Sequence, residues 1–366
     1  MNTKPQDTQA FNDRASQVRE GEELPIEKVD AFVKQHIPGL QGTPIIEQFA
    51  GGASNLTYLL RYTDRDLILR RPPFGHRAKS AHDMLREAKI MQALKPVYPY
   101  VPAVIASCDD ASIMDCDFYV MERIHGIIPR HNLPKGMVLS EEETRRLCLN
   151  VIDKMIELHQ IDVQAAGLAG IAKGEGYVQR QMDGWSERYR KAKTDDVGDF
   201  EQVVAWLQAK MPAKDVATCL IHNDFRFDNV VLKPDNSSEV IGVLDWEMAT
   251  LGDPLMDLGN TLAYWVQADD DFIMKGVRRQ PTHLPGMLLR NEVVDYYLNK
   301  SGYKVDRQGE WAFYEVYGLF RLAVIAQQIY YRYHHKQTRN PAFKNFWIMV
   351  NYLNWRCKQV IKQSKR

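Results

Sequence analysis

Residues 219–247 begin Cys219-Leu220-Ile221-His222-Asn223-Asp224-Phe225-Arg226-Phe227-Asp228-Asn229-Val230-Val231-Leu232 and continue Lys233-Pro234-Asp235-Asn236-Ser237-Ser238-Glu239. They end Val240-Ile241-Gly242-Val243-Leu244-Asp245-Trp246-Glu247. The apolar runs 230–232 and 240–244 flank a cluster of turn-forming residues, which predicts a β-hairpin. Asp224 and Asn229 stand just before that hairpin and Asp245 just after it. A closed hairpin brings its ends together, so three oxygen-bearing side chains converge. Such a set suits a hard cation such as Mg²⁺, which takes carboxylate and amide oxygens and keeps water or phosphate in its shell.

Working outward, the N-terminal side is rich in short strands. Residues 45–49 and 56–62 surround Ala50-Gly51-Gly52-Ala53-Ser54-Asn55 and read as a hairpin about a glycine turn. A third run, Asp66-Leu67-Ile68-Leu69-Arg70, stops at Pro72-Pro73, which cannot continue a central strand. Residues 80–94 carry helical periodicity, and 104–105 and 117–122 read as further strands. From Ser140 the character changes. Ser140 with Glu143 forms a capping-box pattern that opens a helix running to about His159. Residues 177–192, 198–210 and most of the chain from about 287 also read as helical. The class is α+β: a polar, loose arm over 1–26, a β-rich lobe over 27–122, and a larger, mainly helical lobe over 123–366.

Composition narrows the function. The chain of 366 residues carries 47 basic and 47 acidic side chains, a formal net charge of zero that weighs against general nucleic-acid binding. Its five cysteines form no C-x-x-C pair, which suits reduced thiols in a cytoplasmic protein. No stretch approaches the roughly 18 apolar residues of a membrane helix, and the polar start lacks the apolar core of a signal peptide. No His/Cys cluster has zinc-ligand spacing, and no G-x-x-x-x-G-K-[ST] segment exists, which excludes a P-loop NTPase.

The pattern H-x-D-x-x-x-x-N, a hairpin, then a strand ending in Asp resembles the catalytic and metal-binding segments of the protein-kinase-like superfamily. His222-Asn223-Asp224, Asp245-Trp246-Glu247, Leu251-Gly252-Asp253-Pro254 and Asp257-Leu258-Gly259 resemble its aminoglycoside phosphotransferase and choline kinase branch. With Gly51-Gly52-Ala53-Ser54-Asn55 and Phe118-Tyr119-Val120-Met121-Glu122-Arg123, the chain is most similar to kinase domains related to acyl-CoA dehydrogenase-fused proteins. The resemblance spans roughly residues 40–335 by motif order. It implies a two-lobed kinase-like fold, with a small antiparallel sheet in the N-lobe, and transfer of the γ-phosphoryl group of ATP.

The resemblance also implies roles. Asp224 would accept or orient the acceptor's hydroxyl proton, and Asn229 and Asp245 would hold Mg²⁺ against the phosphates. Gly51 and Gly52 would let the backbone approach the nucleotide, with Ser54 and Asn55 as further contacts. Arg70 (or Arg71) would be the phosphate-binding cation and Glu87 its acidic partner. Met121 and Glu122 would lie where backbone groups hold the adenine. His222 would support the catalytic loop. Three departures stand out: arginine replaces the usual lysine on the third strand, Asn223 replaces a common glycine, and the glycine segment is short. Asparagine tolerates positive φ better than most residues, so it can serve there.

Other features have structural readings. Gly252-Asp253-Pro254 looks like a turn and helix start that Asp253 caps, with Asp257 in the first turn near the dipole. Asp253 is also placed to bond the catalytic loop. Glu247 suits a second metal or a scaffold role equally, and His159 reads as packed or capping. The run Asp269-Asp270-Asp271 reads as a solvated charge cluster. For the acceptor, Arg278-Arg279, Arg321, Arg332, His334-His335-Lys336 and Arg339, with Arg70, Arg71, His76, Arg77 and Lys79, favour a small anionic metabolite if they face the cleft. The resemblance implies hydroxy acids or hydroxyacyl-CoA. An aminoglycoside- or choline-type kinase and a nucleotide-binding pseudokinase stay as alternatives. A protein Ser/Thr kinase is disfavoured, because no Ala-Pro-Glu segment follows Asp245. Neither the choice of ATP over GTP nor the oligomeric state is legible.

Overall fold

In the computed structural model, the described residues are 13–49, 55–74, 83–171, 174–307 and 309–365. The chain begins with α1 (Ile26–His36), followed by β1 (Ile45–Gln48), β2 (Leu56–Arg61) and β3 (Asp66–Arg71). After α2 (Met84–Leu94) come β4 (Val104–Cys108) and β5 (Phe118–Glu122). The five strands form one antiparallel sheet in the order β1-β2-β3-β5-β4. Period-two alternation gives it two buried faces. Tyr58, Leu60, Leu67, Leu69, Phe118 and Val120 pack with Val29, Phe32 and Val33 of α1. Leu59, Ile68, Tyr119 and Met121 face the other way, toward α2 and the rest of the molecule.

Residues 13–25, expected as part of a loose arm, are tied down. Ser16 bridges to Gln48 of β1, Arg19 N donates to Gln48 Oε1 at 3.0 Å, and Tyr58 OH donates to Glu22 O at 2.7 Å. Polarity misled the sequence reading because these contacts are themselves polar.

The second lobe contains α3 (Glu141–His159), α4 (Tyr177–Ala192) and α5 (Glu201–Lys210). The capping box at Ser140 and Glu143 forms as expected. Then come β6 (Cys219–Ile221), β7 (Val230–Lys233), β8 (Asn236–Val243) and β9 (Thr250–Gly252). The helices α6 (Pro254–Ala263), α7 (Phe272–Val277), α8 (Arg290–Ser301), α9 (Glu310–His334) and α10 (Phe346–Gln363) complete it. The β7–β8 hairpin turns on two residues, with Lys233 opposite Asn236, so Asn236–Glu239 belong to the strand rather than to the expected turn. Strand β9 pairs with β6 and has no counterpart in the sequence reading, because three residues are too few to show a period.

Every residue of α6 is buried. It reaches α9 through glycines: a Cβ on Gly259 would stand 2.4 Å from Tyr314 O, and one on Gly318 would stand 2.1 Å from Gly259 O. This close crossing holds the start of α6 against β6 and the segment that follows it.

Candidate active site

The segment after β6 is held by its backbone. His222 N and Asn223 N donate to the two carboxylate oxygens of Asp257, each at 2.8 Å. Asp257 is fully buried and also meets His159 Nε2 at 3.0 Å, while His159 Nδ1 lies 2.6 Å from Tyr297 OH. Burial acts to raise the Asp257 pKa, but the bond from His159 and the backbone donor of His222 outweigh it and hold it below the ordinary value. Asp253 stands at the start of α6, as read, and caps it through Leu255 N and Met256 N while accepting Val216 N at 2.6 Å; the further bond to the loop expected of it is made by Asp257. The correction is a matter of helical phase: Asp257, one turn further on, presents its carboxylate to the loop. His159 is packed, as read, and bonded as well.

His222 Nε2 lies 3.0 Å from Leu244 O, and Asp224 N donates to His222 Nδ1 at 3.3 Å. A carbonyl can only accept, so these partners assign the ring proton to Nε2. The hairpin ends meet as expected, with Leu244 N donating to Asn229 O at 2.8 Å. Asn229 Nδ2 donates to Asp224 O at 2.9 Å and to Asp224 Oδ2 at 3.1 Å. Arg226 also pairs with Asp224 Oδ2 at 3.2 Å and with Asp228 at 3.1 Å, and it stacks over Tyr264. Burial acts against the Arg226 cation, yet the Asp224 and Asp228 carboxylates raise its pKa.

Across the cleft, β3 decides between the two arginines. Arg70 is in phase with Ile68, on the face toward α2, whereas Arg71 follows Leu67 and Leu69. Arg70 Nη1 bonds Glu87 Oε1 at 2.8 Å and Nη2 bonds Asp245 Oδ1 at 2.9 Å. Arg71 bonds Pro72 O and Asp115 and stacks on Phe74. Burial opposes ionisation of Arg70, but Glu87 and Asp245 lift its pKa above the usual guanidinium value. Burial likewise pushes Asp245 upward, and Arg70 overcomes it, so this carboxyl titrates below its ordinary value. Two further bridges cross the cleft: Asn55 Nδ2 donates to Glu247 Oε2 at 2.7 Å, and Arg86 bonds the carbonyls of Glu247 and Ala249. Glu247 therefore has a scaffold contact with the N-lobe.

A cavity of about 180 Å³ opens beside these groups. Arg70, Met121, Glu122, Asn229 and Asp245 line it, together with Arg123 and Asp13. The Glu122 carboxylate is turned to Lys95 and Ala103 N, at 3.0 and 2.8 Å. Gly51, Gly52 and Ser54 lie outside the described residues, as do His76, Arg77 and Lys79.

The donor set fits a hard cation. Asn229 uses its amide nitrogen on Asp224, so its carbonyl oxygen is the group left for a metal, and Asp245 is an ionised carboxylate. Among the described residues no cluster of three or more His, Cys, Asp or Glu is arranged to hold a metal. One carboxylate and one amide suit Mg²⁺, which draws its other ligands from phosphate and water.

Sequence reasoning missed Arg226, Arg86 and the loop-holding role of Asp257. Only Arg226, two residues beyond Asp224, carried a local signal.

Residues 45–289 match the model of the phosphotransferase enzyme family. This chain belongs to that family. Among curated relatives, this phosphotransferase is 35% identical over 306 residues to acyl-CoA dehydrogenase family member 10 of Mus musculus, covering 82% of this chain and 28% of that protein. It is 33% identical to acyl-CoA dehydrogenase family member 11 of Homo sapiens, over 92% of this chain and 43% of that one. The chain thus spans less than half the length of the curated relatives it matches. A Ralstonia eutropha structure assigned as an aminoglycoside phosphotransferase superposes with a TM-score of 0.78 at 26% identity, covering 94% of this chain and 99% of that one. The GDP complex of an aminoglycoside 2′-phosphotransferase-IIIa variant shares the fold, with a TM-score of 0.56 at 16% identity over 91% and 97% of the two chains. The phosphotransferase therefore has a two-lobed kinase-like fold and is a small-molecule kinase by family. No described helix is long and apolar enough to cross a membrane.

Proposed function

We propose that this phosphotransferase moves the γ-phosphoryl group of ATP, with Mg²⁺, to a hydroxyl of a small anionic metabolite of the hydroxy acid or hydroxyacyl-CoA class. The observation that carries the reading is the convergence of Asp224, Asn229 and Asp245 opposite Arg70. Mg²⁺ bound there would screen phosphate charge. Asn229 Oδ1 and Asp245 would hold it, and Arg70, braced by Glu87, would bind phosphate oxygens. The cavity beside Met121 and Glu122 would take the base, with Glu122 contributing main-chain groups because its carboxylate is occupied. Asp224, oriented by Asn229 and Arg226, would take the acceptor's proton as its oxygen bonds phosphorus and the bond to the β-phosphate oxygen breaks. ADP and the phosphorylated acceptor are the products. Positioning and charge stabilisation supply most of such catalysis.

The anionic acceptor is supported by one cation, Arg278, in the segment tied to the loop bearing Asp224. Gln280 accepts Phe227 N at 2.8 Å, and the neighbouring Arg278 bonds Gln280 O, His131 O and Asn132 Oδ1. Among the described residues no carboxylate pairs with Arg278, and burial, Arg278 and Arg279 push the His131 pKa down. Other cations of the sequence reading serve elsewhere. Arg321 is buried and bonds Asn223 O, and His334 lies on α9 roughly 20 Å beyond it at the helical rise. The acidic run lends no support to a polyamine acceptor, because Asp270 pairs with Arg290 and Arg356 while Asp271 caps α7.

The test is ADP release from Mg-ATP against hydroxy acids, hydroxyacyl-CoAs, sugars, aminoglycosides and choline-like amines, with Asp224→Asn as control. Turnover with an anionic acceptor that disappears in the variant is expected. A preference for amines would overturn the acceptor class, and tight Mg-ATP binding without turnover on any of them would favour the pseudokinase.

A further inference from the structure

Asn223 stands beside the proposed proton acceptor with φ +65°, in the left-handed region. Both ends of its side-chain amide are engaged. Oδ1 accepts Tyr177 OH at 3.1 Å and Asn260 Nδ2 at 3.2 Å, and Nδ2 donates to Met248 O at 3.1 Å. Its main chain is engaged too, with N bonded to Asp257 and O accepting Arg321 Nη2 at 3.1 Å. The residue is buried, and its bonds to Tyr177, Asn260, Asp257 and Arg321 are shielded from water, while the bond to Met248 O is partly exposed.

Met248 lies three positions beyond Asp245, in the turn that carries it away from the cleft. The Nδ2–Met248 bond therefore ties the loop bearing Asp224 directly to the segment bearing Asp245. The same side chain ties both to α4 through Tyr177 and to α6 through Asn260. Glycine would permit the positive φ and make none of these bonds, and alanine would make none and strain the backbone. Asparagine meets both demands.

We infer that Asn223 is a positioning residue that fixes the separation of Asp224 from Asp245, and so sets the register between the acceptor's oxygen and the metal-bound phosphate. The inference rests on the phosphoryl-transfer reading of this cleft. Among the described residues, loss of the tie leaves only the bonds of His222 and Asn229 to Leu244 between the loop and the strand, ahead of Asp245, so the turn after Asp245 can shift. Small misplacements of reacting groups lower turnover far more than they lower binding.

The experiment compares Asn223→Gly and Asn223→Asp with the wild type and Asp224→Asn. Glycine keeps the backbone and removes all three side-chain bonds. Aspartate keeps the two acceptor bonds and tolerates positive φ, but cannot donate to Met248 O. The glycine variant is expected to melt within a few degrees of the wild type and the aspartate variant lower, and both to lose about 10-fold to 100-fold in kcat per folded molecule while leaving the KM for ATP within about 3-fold. Amide exchange in residues 246–251 should rise in both, a readout independent of turnover. Wild-type kcat and wild-type exchange in the glycine variant would overturn the inference. So would a loss of kcat matched by the loss of folded protein in both variants. Failure of the wider reading is separable, because turnover would then survive Asp224→Asn.

Discussion

On the C-lobe side of the cleft, the loop bearing Asp224 is fixed by bonds to its own backbone: Asp257 takes two amides, Arg321 a carbonyl, Gln280 another amide. On the N-lobe side, among the described residues, the side chains of Arg70, Arg86 and Asn55 reach Asp245 and the turn after it, and one main-chain bond, Val243 N to Tyr100 O at 2.8 Å, joins the hairpin. The difference teaches which half is a frame and which is a set of exchangeable bridges. Buried backbone amides have no substitute partner once their acceptor is lost. A guanidinium shared between Glu87 and Asp245 can trade one carboxylate for a phosphate oxygen and keep its charge paired.

The comparison breaks first at Asp224. Asp224→Asn should lower turnover by about 10³-fold or more while calorimetry finds Mg-ATP affinity changed by less than about 3-fold. Retained turnover would remove the C-lobe side from the chemistry.

Next comes the frame. Asp257→Ala leaves two buried amides and His159 without their acceptor, and should cost about 3 kcal/mol in urea unfolding. The pH dependence follows the same residue. Its folded pKa lies below that of an unfolded aspartate, about 3.9, so its contribution is complete above that value and is lost as pH falls through the folded one. Stability should therefore drop steeply below pH ~4, and Asp257→Asn should flatten that slope. An unchanged acid limb would mean that the loop does not hang from this carboxylate.

The bridges should be gentler. Arg70→Lys keeps the charge but loses the fork that reaches Glu87 and Asp245 together, so kcat/KM for ATP should fall about 10-fold with little change in melting temperature. A loss as large as that of Asp224→Asn would make Arg70 part of the frame. The smallest effect is expected for Arg86→Ala, which frees the segment after Asp245 from α2 and should cost about 1 kcal/mol of stability. Faster hydrogen exchange over residues 246–250 in the variant would report the lost bridge.

The spacing of His222, Asp224 and Asn229 is local, and the hairpin that returns Asp245 is announced by two apolar runs and a turn. That much of the site was readable because neighbours in sequence are bound to be neighbours in space. The choice between Arg70 and Arg71 was not readable. Both follow the same apolar run, and only the packing of α1 on one face and α2 on the other gives the two residues different surroundings. Asp257 was readable as a helix-start residue and not as the anchor of the loop 34 positions earlier, since that depends on how α6 lies against β6.

The sequence by itself determined the α+β class, the order of strands in the N-lobe, the hairpin and the cluster at its ends, because periodicity and turn chemistry are local properties. Only the tertiary structure decided which arginine faces the cleft, which aspartate holds the loop, and that Arg70 joins Glu87 to an Asp245 lying 175 positions away. Those choices depend on the burial of whole faces and on distances across the fold, and no short segment of the chain encodes either.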